Sequence, residues 1–169
     1  MSTERLFIGL WPQGPVRDEL AAWRDAWRWP AAASPVATEK LHMTLHFLGD
    51  VPRERIAALG DALALPFSSF ELTLGQPALW HGGVAVLELD EAPAGLLALH
   101  GAIGAALDTV GIARDQRPYR PHVTMARRAG GAAAPEGTPS LHWRVGQFAL
   151  MASRGGVYEV VREYGCKHS

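Results

Sequence analysis

From Leu41 to Phe47 apolar and polar residues alternate strictly: Leu41, Met43, Leu45 and Phe47 against His42, Thr44 and His46. Successive side chains of a strand leave opposite faces, so this pattern predicts a strand over 41–48 with four apolar residues in the core and three polar ones outside. RLFIGLW at 5–11 reads as a buried strand. Pro12 and Pro15 then open a helix through Trp29, with Val16, Leu20, Trp23 and Trp27 near one face. Pro52 starts a short helix striped by Ile56, Leu59 and Leu63, and Pro93 one to Val110 striped by Leu96, Leu99, Ile103, Leu107 and Val110. Residues 70–80 and 83–89 read as strands joined by a turn at His81-Gly82-Gly83, and further strands are predicted over 119–126, 141–153 and 156–163. GGAAAPEGTPS, residues 130–140, is expected to be a mobile loop.

The chain repeats itself. A strand (RLFIGL), a Pro-started helix and His42-Met43-Thr44 are followed by a strand (VAVLEL), a Pro-started helix and His122-Val123-Thr124. Ile8 precedes His42 by 34 positions and Leu87 precedes His122 by 35. Two related units tend to pack about a pseudo-two-fold axis, which would bring two His and two Thr face to face. Pro121 cannot donate to a ladder, so the second motif strand is expected at a sheet edge or beside a bulge.

With 169 residues and 48% hydrophobic content the chain has the size of one domain with an ample core. A net charge of −1 excludes strong global attraction to nucleic acid or membrane, but Arg114, Arg117, Arg120, Arg127 and Arg128 crowd around the second motif with Asp115 as the local counter-charge. That cluster is either an anion-binding patch or a solvated loop. Cys166 is the single cysteine, which rules out an internal disulfide and a Cys-based zinc site. The N-terminal twenty residues lack a secretory pattern, and no stretch approaches the ~20 apolar residues of a membrane span, so a cytoplasmic protein is expected.

Histidine titrates near pH 6.5, so of two facing imidazoles one can take a proton from water while the other gives one to a leaving oxygen. Each threonine adds a hydroxyl donor on the same face, suited to non-bridging phosphate oxygens. Nearby arginine would offset charge built up in an in-line displacement. The set fits a phosphodiester, especially one closed into a strained ring, and requires no metal or cofactor. From the residues alone the two histidines are interchangeable. A single His-x-Thr carries little information; two copies at matching places carry the reading. His42 and His46 could also suggest a metal site, but on a strand they lie about 13 Å apart. His46 is expected to be structural or solvent-facing, and His81, His100, His142 and His168, which have no partner motif, structural or exposed. Trp23, Trp27 and Trp29 read as helix packing; Phe7 and Trp11 fit either the core or the lining of a cleft.

LHMTLHFLGD and RPHVTMAR, with the opening RLFIGLW and the ending FALMAS…VYEVV, resemble the 2H phosphoesterase superfamily, and most closely its RNA 2′,3′-cyclic phosphodiesterases, also named 2′-5′ RNA ligases. The resemblance spans nearly the whole chain. It implies an α+β fold over residues 1–169: two pseudo-symmetric lobes, each an antiparallel sheet with packed helices, around a central cleft holding both motifs. It implies hydrolysis of RNA terminal 2′,3′-cyclic phosphate to a 2′-phosphate without metal or other cofactor. His42 would protonate the departing 3′ oxygen, His122 would activate water, and Thr44, Thr124 and Arg127 would hold phosphate oxygens. The partners implied are RNA ends or nucleotides carrying the cyclic phosphate, met by a monomer. The alternatives are a 2′-5′ ligase, a phosphodiesterase of small cyclic nucleotides, and a non-catalytic binder of RNA ends. Arg127 sits awkwardly, because ideal alternation puts it on the face opposite His122, whereas Arg120 or Arg128 would share that face; a bulge, an early strand end or another arginine must resolve this.

Overall fold

The computed structural model describes residues 2–167. Along it run β1 (Thr3–Leu10), α1 (Gly14–Ala26), β2 (Ser34–Pro35), β3 (Met43–Pro52), α2 (Ile56–Ala62), β4 (Phe70–Trp80), β5 (Val84–Leu89), α3 (Ala94–Thr109), β6 (His122–Arg127), β7 (Leu141–Val145), β8 (Gln147–Arg154) and β9 (Val157–Gly165). The strands pair antiparallel in the order β7-β4-β5-β6-β3-β1-β8-β9, with β2 added beside β6. The order is symmetric about the junction of β6 and β3. Each motif strand is flanked by the first strand of its own repeat, β1 or β5, and that pair is connected through a helix, α1 or α3. The fold is α+β, as expected.

Pro15 sits in the first turn of α1, where its missing N–H costs nothing. Leu20, Trp23 and Trp27 bury that helix against the sheet, each side chain worth roughly 1.5–3 kcal/mol. The helix stops at Ala26 rather than Trp29: Trp27 turns extended, and the Arg24 carbonyl at the helix end accepts both the Trp27 backbone N–H and the Trp29 indole N–H. Leu96, Leu99, Ile103 and Leu107 anchor α3 in the same way, and the chain leaves that helix through Gly111 with φ +68. These side chains join Leu6, Ile8, Leu10, Leu41, Met43 and Val123 in one core.

Two expectations are corrected. Residues 141–153 are two strands broken at Gly146, because β7 pairs with β4 while β8 pairs with β1. A single residue spans only a few ångströms, so the sheet must curl until its distant parts meet there. The second motif strand is not at an edge. It lies between β5 and β3, with Pro121 just outside its first residue, where no ladder donor is needed. The loop at 130–140 is tied at Ala133, which exchanges two backbone hydrogen bonds with Arg28.

Candidate active site

β3 and β6 meet at one residue pair, Met43 opposite Val123, the middle residues of the two motifs. Both are fully buried. In an antiparallel pair the flanking positions then fall together, so His42 lies beside Thr124 and Thr44 beside His122. The local two-fold axis passes through the meeting point. His42, Thr44, His122, Thr124 and Arg127 all line one hollow of about 740 Å³, together with Arg5, Phe7, Lys40, Phe47, Arg117 and Tyr158. A second hollow of about 430 Å³, lined in part by Trp80, His100, Tyr119 and Arg120, opens on the other side of Thr44 and His122.

The two imidazoles are held in the same way. His42 Nδ1 lies 2.7 Å from the Lys40 carbonyl oxygen, and His122 Nδ1 lies 2.7 Å from that of Arg120. A carbonyl can only accept, so Nδ1 carries the hydrogen in both rings and each neutral ring keeps its lone pair on Nε2. The Thr44 hydroxyl lies 3.0 Å from His42 Nε2 and donates to it when the ring is neutral. His42 stacks on Trp11 (5.0 Å between centroids, 16° between planes) and packs against Phe7 and Tyr158. His122 packs against Trp80 at 4.3 Å. Burial holds both histidines below their ordinary value. The charges of His122 and Arg127 add to this at His42, and those of Arg120 and Arg127 at His122, where Glu88 pulls the other way.

Arg127 reaches the hollow because β6 bulges. Ala126 pairs with Ala85 and Thr124 with Val86, so Met125 is the extra residue. Met125 and Ala126 are both buried, and Arg127 emerges on the face of His122 and Thr124. The other arginines of the cluster are engaged elsewhere. Arg114 pairs with Asp108, Arg117 with Asp115 and Arg120 with Glu88; Arg128, at φ +52, donates to the Ser34 hydroxyl. The patch apparent in the sequence is therefore largely neutralised, in part by carboxylates distant along the chain.

β3 departs from strict alternation at the equivalent place. Thr44 pairs with Gly9 and His46 with Ile8, so Leu45 is the extra residue. His46 turns inward and is 4% exposed, while Phe47, expected in the core, is 49% exposed and lines the hollow. His46 Nε2 lies 2.9 Å from the His100 carbonyl oxygen, and its ring starts a stacked column with His100 (4.1 Å) and Tyr119 (3.9 Å). The Tyr119 hydroxyl donates to the Thr44 carbonyl at 3.0 Å and so ties the segment before β6 to the first motif. His81 and His142 are exposed, and His168 lies outside the described residues. Trp23 and Trp27 are core residues, with Trp29 stacked on Trp27. Phe7 and Trp11 belong to a small apolar cluster on the cleft side, with Ala149, Met151 and Tyr158. Tyr158, Trp80 and Tyr119 carry no motif signal; alternation within VYEVV and the Trp before the His81 turn were the only available clues. Among the described residues no three His, Cys, Asp or Glu side chains gather as a metal-binding group, and no helix is long and apolar enough to cross a membrane.

The paired motifs in this setting agree with a match of residues 12–157 to the model of the 2′-5′ RNA ligase superfamily. The chain belongs to that superfamily. Within the 2′-5′ RNA ligase superfamily it is 31% identical to the RNA 2′,3′-cyclic phosphodiesterase of Escherichia coli strain K12, over 89% of this chain and 87% of that one. It is also 31% identical to the protein of the same name from Thermus thermophilus, over 96% and 90%. The crystal structure of E. coli LigT in apo form superposes with a TM-score of 0.84 at 28% identity, covering 98% of this chain and 99% of that one. LigT has also been crystallised with 3′-AMP, again with a TM-score of 0.84.

Proposed function

We propose that the chain hydrolyses RNA terminal 2′,3′-cyclic phosphate to a 2′-phosphomonoester by metal-independent acid–base catalysis between two histidines. The observation that carries this reading is the matched pair of tautomers, each Nδ1 donating to a backbone carbonyl so that Nε2 is the nitrogen that exchanges protons, the Thr44 hydroxyl on His42 Nε2 turning to the phosphate when substrate binds. The names of the relatives, RNA 2′,3′-cyclic phosphodiesterase, supply the substrate. In the reaction His122 Nε2 takes a proton from water as the water oxygen bonds to phosphorus. The bond from phosphorus to the 3′ oxygen breaks, and His42 gives that oxygen its proton. Each proton transfer is worth about 10²–10⁴ in rate. Thr44, Thr124 and Arg127 hold the non-bridging oxygens, whose charge grows in the transition state.

His42 is assigned the acid and His122 the base as the family resemblance implies; at His42 the faces of Trp11 and Phe7 favour an imidazolium against the burial that opposes it. At His122 burial, Arg120 and Arg127 oppose protonation and Glu88, itself paired with Arg120, favours it. The bound phosphate anion raises both histidines toward neutral pH, so opposite protonation states coexist and the pH–rate profile is a bell. With the 5′-hydroxyl of a second RNA in place of water, the same atoms would open the ring by forming a 2′-5′ linkage as the bond to the 3′ oxygen breaks, as the family description suggests. The scheme calls on no residue of a second copy, in keeping with a monomer, and the lone Cys166 suits the cytoplasm.

The test is turnover of a cyclic-phosphate-ended oligonucleotide by the native protein, His42→Ala and His122→Ala, with the released phosphomonoester identified. Native turnover to a 2′-phosphate, reduced at least about 10²-fold in each variant, is expected. A native protein that binds the end without opening the ring, with affinity kept in both variants, would mean a binding protein instead.

A further inference from the structure

The larger hollow holds more positive charge than one cyclic phosphate needs. Arg5, Lys40, Arg117 and Arg127 line it, and no carboxylate does. Arg117 is paired with Asp115, but Arg5, Lys40 and Arg127 have no carboxylate partner within 4 Å among the described residues. A cationic side chain ordinarily finds a counter-charge or extends into water. Here Arg5 lies over the face of Phe47 at 4.9 Å, and the Lys40 ammonium over Tyr158 at 5.3 Å, both rings being walls of the same hollow. Aromatic faces hold a cation in place without neutralising it. The two charges are thus fixed at the cleft and still available to an anion.

Their placement separates them from the reacting phosphate. Arg5 and Phe7 share one face of β1, whose register with β8 is unbroken from Arg5 to Gly9, so they stand about 7 Å apart along the strand. Phe7 touches the His42 ring at 5.1 Å. Arg5 therefore stands one residue pair beyond the wall of the reaction site, on the side of β1 away from Trp11. Lys40 flanks His42 through its carbonyl, and its ammonium lies on Tyr158, a ring that packs against His42 and whose strand partner Ser153 pairs in turn with Arg5. Neither cation is among the charges that act on the two histidines, whereas Arg127 acts on both.

The geometry points to a second phosphate subsite, formed by Arg5 and Lys40, that takes the phosphodiester on the 5′ side of the terminal nucleotide and makes an oligonucleotide, rather than a mononucleotide cyclic phosphate, the preferred substrate. This inference rests on the cyclic phosphodiesterase reading. A terminal 2′,3′-cyclic phosphate occupies the 2′ and 3′ oxygens of the last ribose, and in RNA the next negative charge is the diester on that ribose's 5′ oxygen. That spacing is of the order of one nucleotide, as is the step from the His42 wall to Arg5. A charge-assisted contact to the diester is worth about tenfold or more in affinity.

The experiment compares three substrates with the native protein: a mononucleotide 2′,3′-cyclic phosphate, a dinucleotide ending in the same group, and that dinucleotide with its internal diester replaced by an uncharged methylphosphonate. The dinucleotide is expected to show a kcat/KM about tenfold or more above the mononucleotide, chiefly through KM, and the methylphosphonate to lose that advantage. In Arg5→Gln, Lys40→Gln and the double variant the ratio of dinucleotide to mononucleotide should fall toward one. The dependence of log kcat/KM on log salt for the dinucleotide should flatten by about 0.7 for each contact removed. Equal efficiency on all three substrates, or a ratio that the variants leave untouched, overturns the subsite while leaving the phosphodiesterase reading intact. Failure of the native protein to open any of the three rings sinks both.

Discussion

The stacked column His46–His100–Tyr119 makes the stability of the protein depend on pH in a predictable direction. His100 lies between two rings at 4.1 and 3.9 Å. Burial, helped by the charges of His46 and Arg114, lowers its pKa from 6.5 to about 4. The unfolded chain therefore takes up this proton first as the pH falls. The stabilising contribution is fully present above pH 6.5, is lost between 6.5 and about 4, and does not change further below that. At 1.36 kcal/mol per pH unit the ceiling is about 3.4 kcal/mol. The ring is only partly buried, and screening by solvent reduces the expected loss to about 1–2 kcal/mol. His46, also lowered by burial, contributes with the same sign.

Other groups titrate over the same range, so the measurement must isolate this one. His100→Phe keeps an aromatic ring in the column and cannot be protonated. Urea unfolding of both proteins at about pH 7.5 and about pH 4.5, followed by tryptophan fluorescence, gives four free energies. The native protein should lose about 1–2 kcal/mol more on acidification than the variant. Equal losses in the two proteins would refute the reasoning, and a larger loss in the variant would reverse the assigned sign.

Three further outcomes are expected. Arg127→Gln should lower kcat by about 10²-fold with an unchanged melting temperature, whereas Arg128→Gln should stay within about twofold, since Arg128 bonds to Ser34 instead; steady-state kinetics on the cyclic dinucleotide separate them. Gly9→Ala puts a Cβ 3.1 Å from the Met43 carbonyl oxygen and 3.5 Å from the His42 ring, so the backbone beside His42 must shift by a few tenths of an ångström. Turnover should fall about three- to tenfold through kcat rather than KM, and an unaltered kcat would show that the ring tolerates the displacement. Activity should survive exhaustive dialysis against a chelator; a collapse restored by a divalent cation would require a metal in the reaction.

How far the site could be read from the sequence depends on where alternation holds. It holds through Leu41, Met43 and His42, Thr44, and through Val123 and His122, Thr124, and there the expected faces are the observed ones. It fails one residue later in both copies, at Leu45 and at Met125, and for one reason: a bulge adds a residue that the partner strand does not match. The failure misplaced His46 and Phe47 in the first copy and put Arg127 on the wrong face in the second unless the strand bulged. Bulges follow from how two twisted strands register against each other, which no single strand records. The repeat makes the two errors equivalent. Phe47 stands five residues after His42 and Arg127 five after His122, so the bulges deliver related positions to the two sides of one hollow. One side receives a cation for the reacting phosphate. The other receives a ring that carries Arg5 on its face. On the proposed mechanism the duplication supplies a symmetric pair of proton carriers, and the asymmetry that would hold a directional chain comes from what each half places after its own bulge.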